Sequence, residues 1–113
     1  TEADLPEEDW RRNVPRFQGG NLAHNVSLLA PLERLAEERN TTPAAVALAW
    51  LLGRGEDIVP LVVMGRPANV DRALEALTVD LTPEDVAMLD AAVPIGAAAG
   101  ARYPEGMMDA LGR

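Results

Sequence analysis

The chain has 113 residues, about the size of one small domain, and 48% of them are apolar, which is enough for a core and argues against disorder. Its formal net charge of −8 argues against nucleic acid as a partner, because phosphate neutralisation needs a basic face. The lack of cysteine excludes disulfides and thiolate metal sites. No apolar run reaches the roughly 18 residues of a membrane span, and no signal peptide is recognisable, so we expect a cytoplasmic protein.

The first predicted elements are a long lead-in loop and an interrupted helix. Residues 1–20 are polar and irregular, and such a long loop suggests a functional loop on a larger body. An apolar period of about 3.6 then predicts a helix over residues 21–39. Pro31 cannot donate a hydrogen bond to the preceding turn, so we expect a kink or two abutting helices near Leu29-Ala30.

The next predicted helix covers residues 43–52. Thr42 precedes Pro43, which is the usual order of an N-cap and a first helical residue. Because the segment is apolar all round, we expect it to be buried on more than one side.

A single convincing strand is predicted at residues 58–64. It is rich in β-branched residues and contains Pro60, which places it at an edge or beside a bend. No other segment predicts a partner strand, so its backbone groups would be unpaired unless another chain or segment supplied a sheet. This feature, with a chain that starts at Thr1, suggests part of something larger.

Two more helices and a tail follow this strand. Apolar residues spaced three and four apart predict a core-facing helix over 67–77. Thr82 is expected to cap a further helix over 83–92. The tail 94–113 is rich in glycine and alanine. The stripe of apolar residues consists of Val70, Ala73, Leu74 and Leu77, and the tail is expected to dock through Met107, Met108 and Leu111.

Chemistry is sparse in this sequence. Gly65 and Arg66 lie between the predicted strand and helix, where the positive end of the helix and a planar guanidinium suit an anion. His24 and Tyr103 are better explained as locally bonded and packing residues than as catalytic ones. No lysine is present, and no set of side chains has metal-ligand spacing, so no metal site is expected.

Several segments together resemble the C-terminal part of bacterial aldo-keto reductases, in unbroken order over nearly the whole chain. The most specific of them is the run Thr-Pro-Ala-Ala-Val-Ala-Leu-Ala-Trp-Leu-Leu at residues 42–52. The others are Asp-Trp-Arg-Arg-Asn at 9–13, Pro-Arg-Phe-Gln-Gly at 15–19, Asp-Ile-Val-Pro at 57–60, Leu-Thr-Pro-Glu at 81–84 and Arg-Tyr-Pro at 102–104.

The resemblance implies an α/β fold, namely the C-terminal segment of a TIM (β/α)8 barrel, mostly helical in this chain. Residues 58–64 would be the eighth strand, followed by the helix that grips the 2′-phosphate of NADPH. The implied cofactor-binding residues are Met64, Gly65, Arg66, Asn69 and Arg72. Asn69 stands where the family has an arginine, and Arg72-Ala73 replaces Glu-Asn, so the choice between NADP and NAD is left open.

The implied function is part of an NAD(P)H-dependent reductase of aldehydes and ketones. The catalytic Asp, Tyr, Lys and His of that family are expected outside this chain, so no catalytic residue is assigned and the isolated chain should be inactive. In the complete enzyme the partners would be the nicotinamide cofactor, a small carbonyl substrate and the rest of the barrel, as a missing segment or a separate chain. The alternative is a free-standing helical interaction module.

Overall fold

A computed structural model describes residues 1–63 and 65–111, without the side chain of Glu2. The chain divides into two compact units, of which one is Leu29–Ala92 and the other combines Thr1–Leu28 with the segment from Val93 onward. The α-helices are α1 (Gly19–Ser27), α2 (Ala30–Glu38), α3 (Pro43–Leu52), α4 (Pro67–Glu75), α5 (Pro83–Ala92) and α6 (Glu105–Met108). Single 3-10 turns lie at Glu2–Asp4, Trp10–Asn13, Pro15–Phe17 and Ala76–Thr78.

The interrupted helix is two separate helices. α1 ends at Ser27 and α2 begins at Ala30, so Pro31 lies in the first turn of α2, where no intrahelical donor is required. Asn40, two residues after the end of α2, has the left-handed conformation (φ 52°). The Thr41 N–H then donates to the Ala36 carbonyl at 2.9 Å, which is a Schellman closure of the helix.

The larger unit, residues 29–92, has an apolar core beneath α3. α3 contacts α2, α4 and the Ala76–Thr78 turn, and its small alanines allow close approach. The Thr42 hydroxyl accepts from the Ala45 N–H at 3.2 Å and so caps the helix. The buried side chains of this unit are Leu32, Leu35, Ala36, Ala45, Val46, Ala76 and Leu89.

Polar contacts fix α5 in the same unit. Thr82 and Asp85 form a reciprocal cap, in which each backbone N–H donates to the other's side chain at 3.0 and 3.2 Å. The Thr82 N–H, followed by the Arg39 guanidinium at 2.6 Å, holds the pKa of Asp85 below its ordinary value. Farther along the helix, the Trp50 indole N–H donates to Asp90 at 2.9 Å.

The smaller unit contains little buried apolar surface. Residues 1–20, which the sequence predicts as a loop, instead hold three 3-10 turns and the first residues of α1. Val14 is the one described residue of this unit that is buried. The expected docking of the tail is only partly right, because Met108 is half-buried whereas Met107 and Leu111 are exposed.

The predicted strand at 58–64 is wrong for residues 58–63, which hold no strand, and Met64 lies outside the described residues. The cause is that the described chain provides no second strand to complete a ladder of hydrogen bonds. The helix predicted over 67–77 ends earlier, because α4 ends at Glu75 and a 3-10 turn follows at Ala76–Thr78. Its core-facing stripe is wrong in part, since Leu74 and Leu77 are 54% and 69% exposed and Ala76 is the buried residue. The described residues accordingly form neither a strand nor a barrel.

Candidate functional site

In segment 58–63, which precedes α4, exposed and half-buried side chains alternate as they do along a β-strand. Its side chains are apolar on both faces, a pattern typical of strands that are covered on both sides. Val59, Leu61 and Val63 are 82%, 98% and 85% exposed, and Ile58, Pro60 and Val62 between them are half-buried. One face therefore rests on the chain, and the other presents apolar side chains to solvent.

A bend at Gly65 and Arg66 joins this segment to α4. Arg66 is the N-cap residue with extended backbone (φ −139°, ψ 141°), and its side chain makes no capping hydrogen bond. Pro67 opens the helix, and the Asn69 N–H donates to the Arg66 carbonyl at 2.9 Å. A Cβ on Gly65 would meet no described atom within 4 Å, so no contact in this part of the chain requires glycine there.

Four of the five residues assigned to the cofactor from the sequence lie around the first two turns of α4. Gly65, Arg66 and Arg72 are exposed and Asn69 is half-buried, whereas Met64 lies outside the described residues. Asn69 and Arg72 are three apart in the helix and so lie on neighbouring positions of one face. Arg66 and Arg72 do not pair with a carboxylate among the described residues. The arginines that do form such ion pairs are Arg11, Arg34, Arg39 and Arg54.

This arrangement can bind an anion. A guanidinium offers paired donors that match phosphate, and the positive end of the α4 dipole adds to the field of Arg66. Proline at the first helical position removes one donor, so side chains rather than backbone would provide most contacts.

A depression of about 500 Å³ near the end of α2 is a weaker candidate. Its wall includes Arg39, Thr41, Asp80 and Thr82. The Arg39 guanidinium already donates to the Asp85 carboxylate and to the Asp80 carbonyl, so its charge is neutralised within the chain. The polar lining stabilises the fold and leaves no obvious chemistry for a ligand.

The sequence reasoning missed a set of side-chain amides in the smaller unit. Asn21 bonds to the Pro15 carbonyl just before its own helix, whereas Asn25 bonds to the distant Ala99 carbonyl. The sequence feature that could have indicated them is the presence of two asparagines inside a predicted helix. Asparagine has a low helix propensity, because its side chain competes for backbone hydrogen bonds. His24 is exposed with Nε2 2.9 Å from the Ala97 carbonyl oxygen, and Tyr103 is half-buried beside the Arg102 guanidinium, so neither lies in a catalytic arrangement.

The described residues contain neither a metal-binding cluster nor a membrane-spanning helix. No His, Asp or Glu side chains of this part of the chain converge in a group that could hold a metal ion. None of its helices combines the length and hydropathy that crossing a membrane requires.

Comparison with known proteins places this chain in a family of oxidoreductases. Residues 1–94 match the model of the aldo/keto reductase family, and the chain belongs to that family. It is 43% identical over 104 residues to "Probable aldo-keto reductase 1" of Glycine max, and 38% identical over 103 residues to the aldo-keto reductase yakc of Schizosaccharomyces pombe, whose name specifies NADP(+).

Each match covers most of this chain but a minor part of the relative. They take in 92% and 91% of this chain, but the chain spans only about 30% of the length of either relative. No solved structure matches the chain.

Proposed function

We propose that this chain is the C-terminal portion of a barrel-shaped aldo-keto reductase that reduces aldehydes or ketones with NADPH. In this proposal residues 58–64 complete the barrel sheet, and the start of α4 binds the phosphate end of the cofactor. The observation that carries the proposal is that the apolar segment 58–63, which forms no strand, precedes a helix start where Arg66 and Arg72 have no carboxylate partner among the described residues. The family match and the 30% coverage of both relatives support it.

The segment 58–63 has the features of a strand that is covered on both faces. Its backbone makes no ladder hydrogen bonds within the described chain, and unpaired amides are costly once water is removed. Apolar side chains on both faces are typical of strands in parallel sheets, which are covered on both sides. The rest of the barrel, either continuous with this chain or as a separate chain, would supply both the neighbouring strands and the second cover.

The residues at the start of α4 fit a phosphate group. Arg66 and Arg72 have no carboxylate partner among the described residues, so binding an anion would cost no existing ion pair. Arg66 would carry the main contact, and Asn69 and Arg72 would bind on the next turn. Gly65 would keep the approach open, since nothing described stands near it.

Chemistry would come from the cofactor and from residues beyond this chain. NADPH supplies a hydride to the carbonyl carbon when it is bound. The 113 residues contain no lysine, so they cannot build the Asp, Tyr, Lys and His set that the resemblance implies. The contribution of this chain is therefore to hold and orient the cofactor and to complete the sheet.

The test is a chimera in which these residues replace the matching segment of the Schizosaccharomyces pombe relative. We expect the chimera to oxidise NADPH with a small aldehyde and the isolated chain to be inactive. Loss of a charge-assisted hydrogen bond is worth about 1.5–3 kcal/mol, so Arg66→Ala should raise the KM for NADPH roughly tenfold or more and leave the KM for NADH unchanged.

Arg34→Ala is the matched control, because Arg34 is exposed and its one ion pair among the described residues is with Glu38 of its own helix. It should leave both KM values unchanged. Turnover of NADPH by the isolated chain would refute the fragment interpretation. An active chimera whose KM for NADPH does not respond to Arg66→Ala would refute the phosphate assignment.

A further inference from the structure

The smaller unit is assembled from two stretches of chain that are far apart in sequence. It joins residues 1–28 to the segment that begins at Val93, yet among its described residues only Val14 is buried. Apolar burial is the usual force that holds distant segments together. With so little of it, the hydrogen bonds between these stretches must provide much of the specificity.

Asn25 is at the centre of those hydrogen bonds. Its Nδ2 donates to the Arg16 carbonyl at 2.9 Å and to the Ala99 carbonyl at 3.0 Å. Its Oδ1 accepts from the Ala99 N–H at 2.8 Å. One side chain therefore pairs with Ala99 through both of its amide groups, as a neighbouring strand would, while it also holds the lead-in at Arg16.

Gly100 shows how closely the two stretches approach. A Cβ at this position would lie 2.9 Å from the carbonyl carbon and oxygen of Pro15 and 2.8 Å from Nδ2 of Asn21. Gly100 also has a left-handed φ of 84°, which side-chain-bearing residues rarely adopt. Asn21 Nδ2 donates to the same Pro15 carbonyl at 3.0 Å, so this contact leaves no room for any larger residue.

We propose that Asn21, Asn25 and Gly100 form an amide latch that couples the tail at Ala99 to the lead-in at residues 15–16. Asn25 is the positioning residue of this latch. Opening the contact at the tail removes the two hydrogen bonds to Ala99 that orient the Asn25 amide toward Arg16, so the two stretches close and open together. This inference concerns the chain by itself and does not depend on the cofactor role proposed above.

The test uses amide hydrogen exchange, followed by NMR, on the full 113-residue chain. Asn25→Ala removes three hydrogen bonds, each with a net contribution large enough to change an opening equilibrium several-fold. We expect exchange at the Ala99 amide to accelerate about tenfold or more. Exchange at the Phe17 amide, which donates to the Val14 carbonyl in the lead-in, should accelerate with it.

Gly100→Ala tests the same latch from the other side. The added Cβ should displace the tail, so the side-chain amide protons of the unchanged Asn25 should also exchange about tenfold faster. That response distinguishes coupling from a purely local loss of packing, because the reporting residue is not the one that was altered.

Two references complete the experiment. Asn13→Ala is the matched control, because Asn13 is an exposed asparagine in the same unit, and it should change none of these rates. The Val46 amide, bonded to the Thr42 carbonyl in the larger unit, reports global unfolding and should be unaffected. Unchanged exchange at Ala99 or Phe17 in Asn25→Ala, protected Asn25 side-chain protons in Gly100→Ala, or accelerated exchange at Val46 would each overturn the proposal.

Discussion

Leu61 provides the sharpest test of what segment 58–63 is for. This side chain is 98% exposed in the structure, whereas Leu35 in α2 is 1% exposed. Both can be truncated to alanine, which removes the same atoms from two opposite environments. If the segment is a barrel strand, Leu61 should behave as a surface residue in the isolated chain and as a core residue in the chimera.

The expected magnitudes follow from these exposures. A surface substitution without special contacts changes the free energy of unfolding by less than about 0.5 kcal/mol, and Leu61→Ala should stay within that limit in the isolated chain. Truncation of a buried leucine costs about 2–5 kcal/mol, which is the loss expected for Leu35→Ala in either context. Leu61→Ala should move into that range in the chimera, because burial of a leucine side chain is itself worth about 1.5–3 kcal/mol.

Urea unfolding monitored by circular dichroism measures all four differences. A loss well above 1 kcal/mol for Leu61→Ala in the isolated chain would contradict the exposure of this residue. An active chimera that Leu61→Ala does not destabilise would mean that the segment lies outside the sheet, and the strand interpretation would have to be abandoned.

Two further predictions concern contacts within the chain. The Arg11 guanidinium and backbone N–H lower the pKa of Asp9 to about 2, so the stability from this pair should be present above pH about 4 and lost as the pH falls toward 2. An NMR titration should find that Arg11→Ala raises this pKa only part of the way to about 3.9, and an unchanged midpoint would contradict the pairing. Thr42→Ala removes the cap on the Ala45 N–H and should lower the free energy of unfolding by about 1 kcal/mol in urea titrations; no change would show that the cap does not contribute.

The helices that the sequence predicts best are those with local boundary signals. α3 occupies 43–52 and α5 occupies 83–92, the ranges expected from Thr-Pro at each start. A cap acts between residues three apart, so its effect does not depend on the rest of the protein. The end of α2 agrees with the predicted end at residue 39 to within one residue, although its closure depends on a left-handed Asn40 that no apolar pattern indicates.

The candidate site was predictable only as a position in the chain. The change from an apolar segment to an amphipathic helix pattern locates Gly65 and Arg66. Sequence alone does not tell whether Arg66 is already paired, and among the described residues it has no carboxylate partner. The amide latch was beyond reach for a different reason. It joins Asn25 to Ala99, 74 residues away, through hydrogen bonds that leave no periodic trace in the sequence.

Four of the failed burial predictions lie between residues 61 and 77. Leu61, Val63, Leu74 and Leu77 are apolar residues at positions where a strand or helix pattern expects a core, and all four are exposed. Propensities and caps act locally and survive when a chain is separated from its neighbours, whereas burial requires the surface that does the burying. The mismatch between pattern and exposure at these four residues supports the proposed contact with a larger body, whereas Leu35 and Leu89 are buried within the chain.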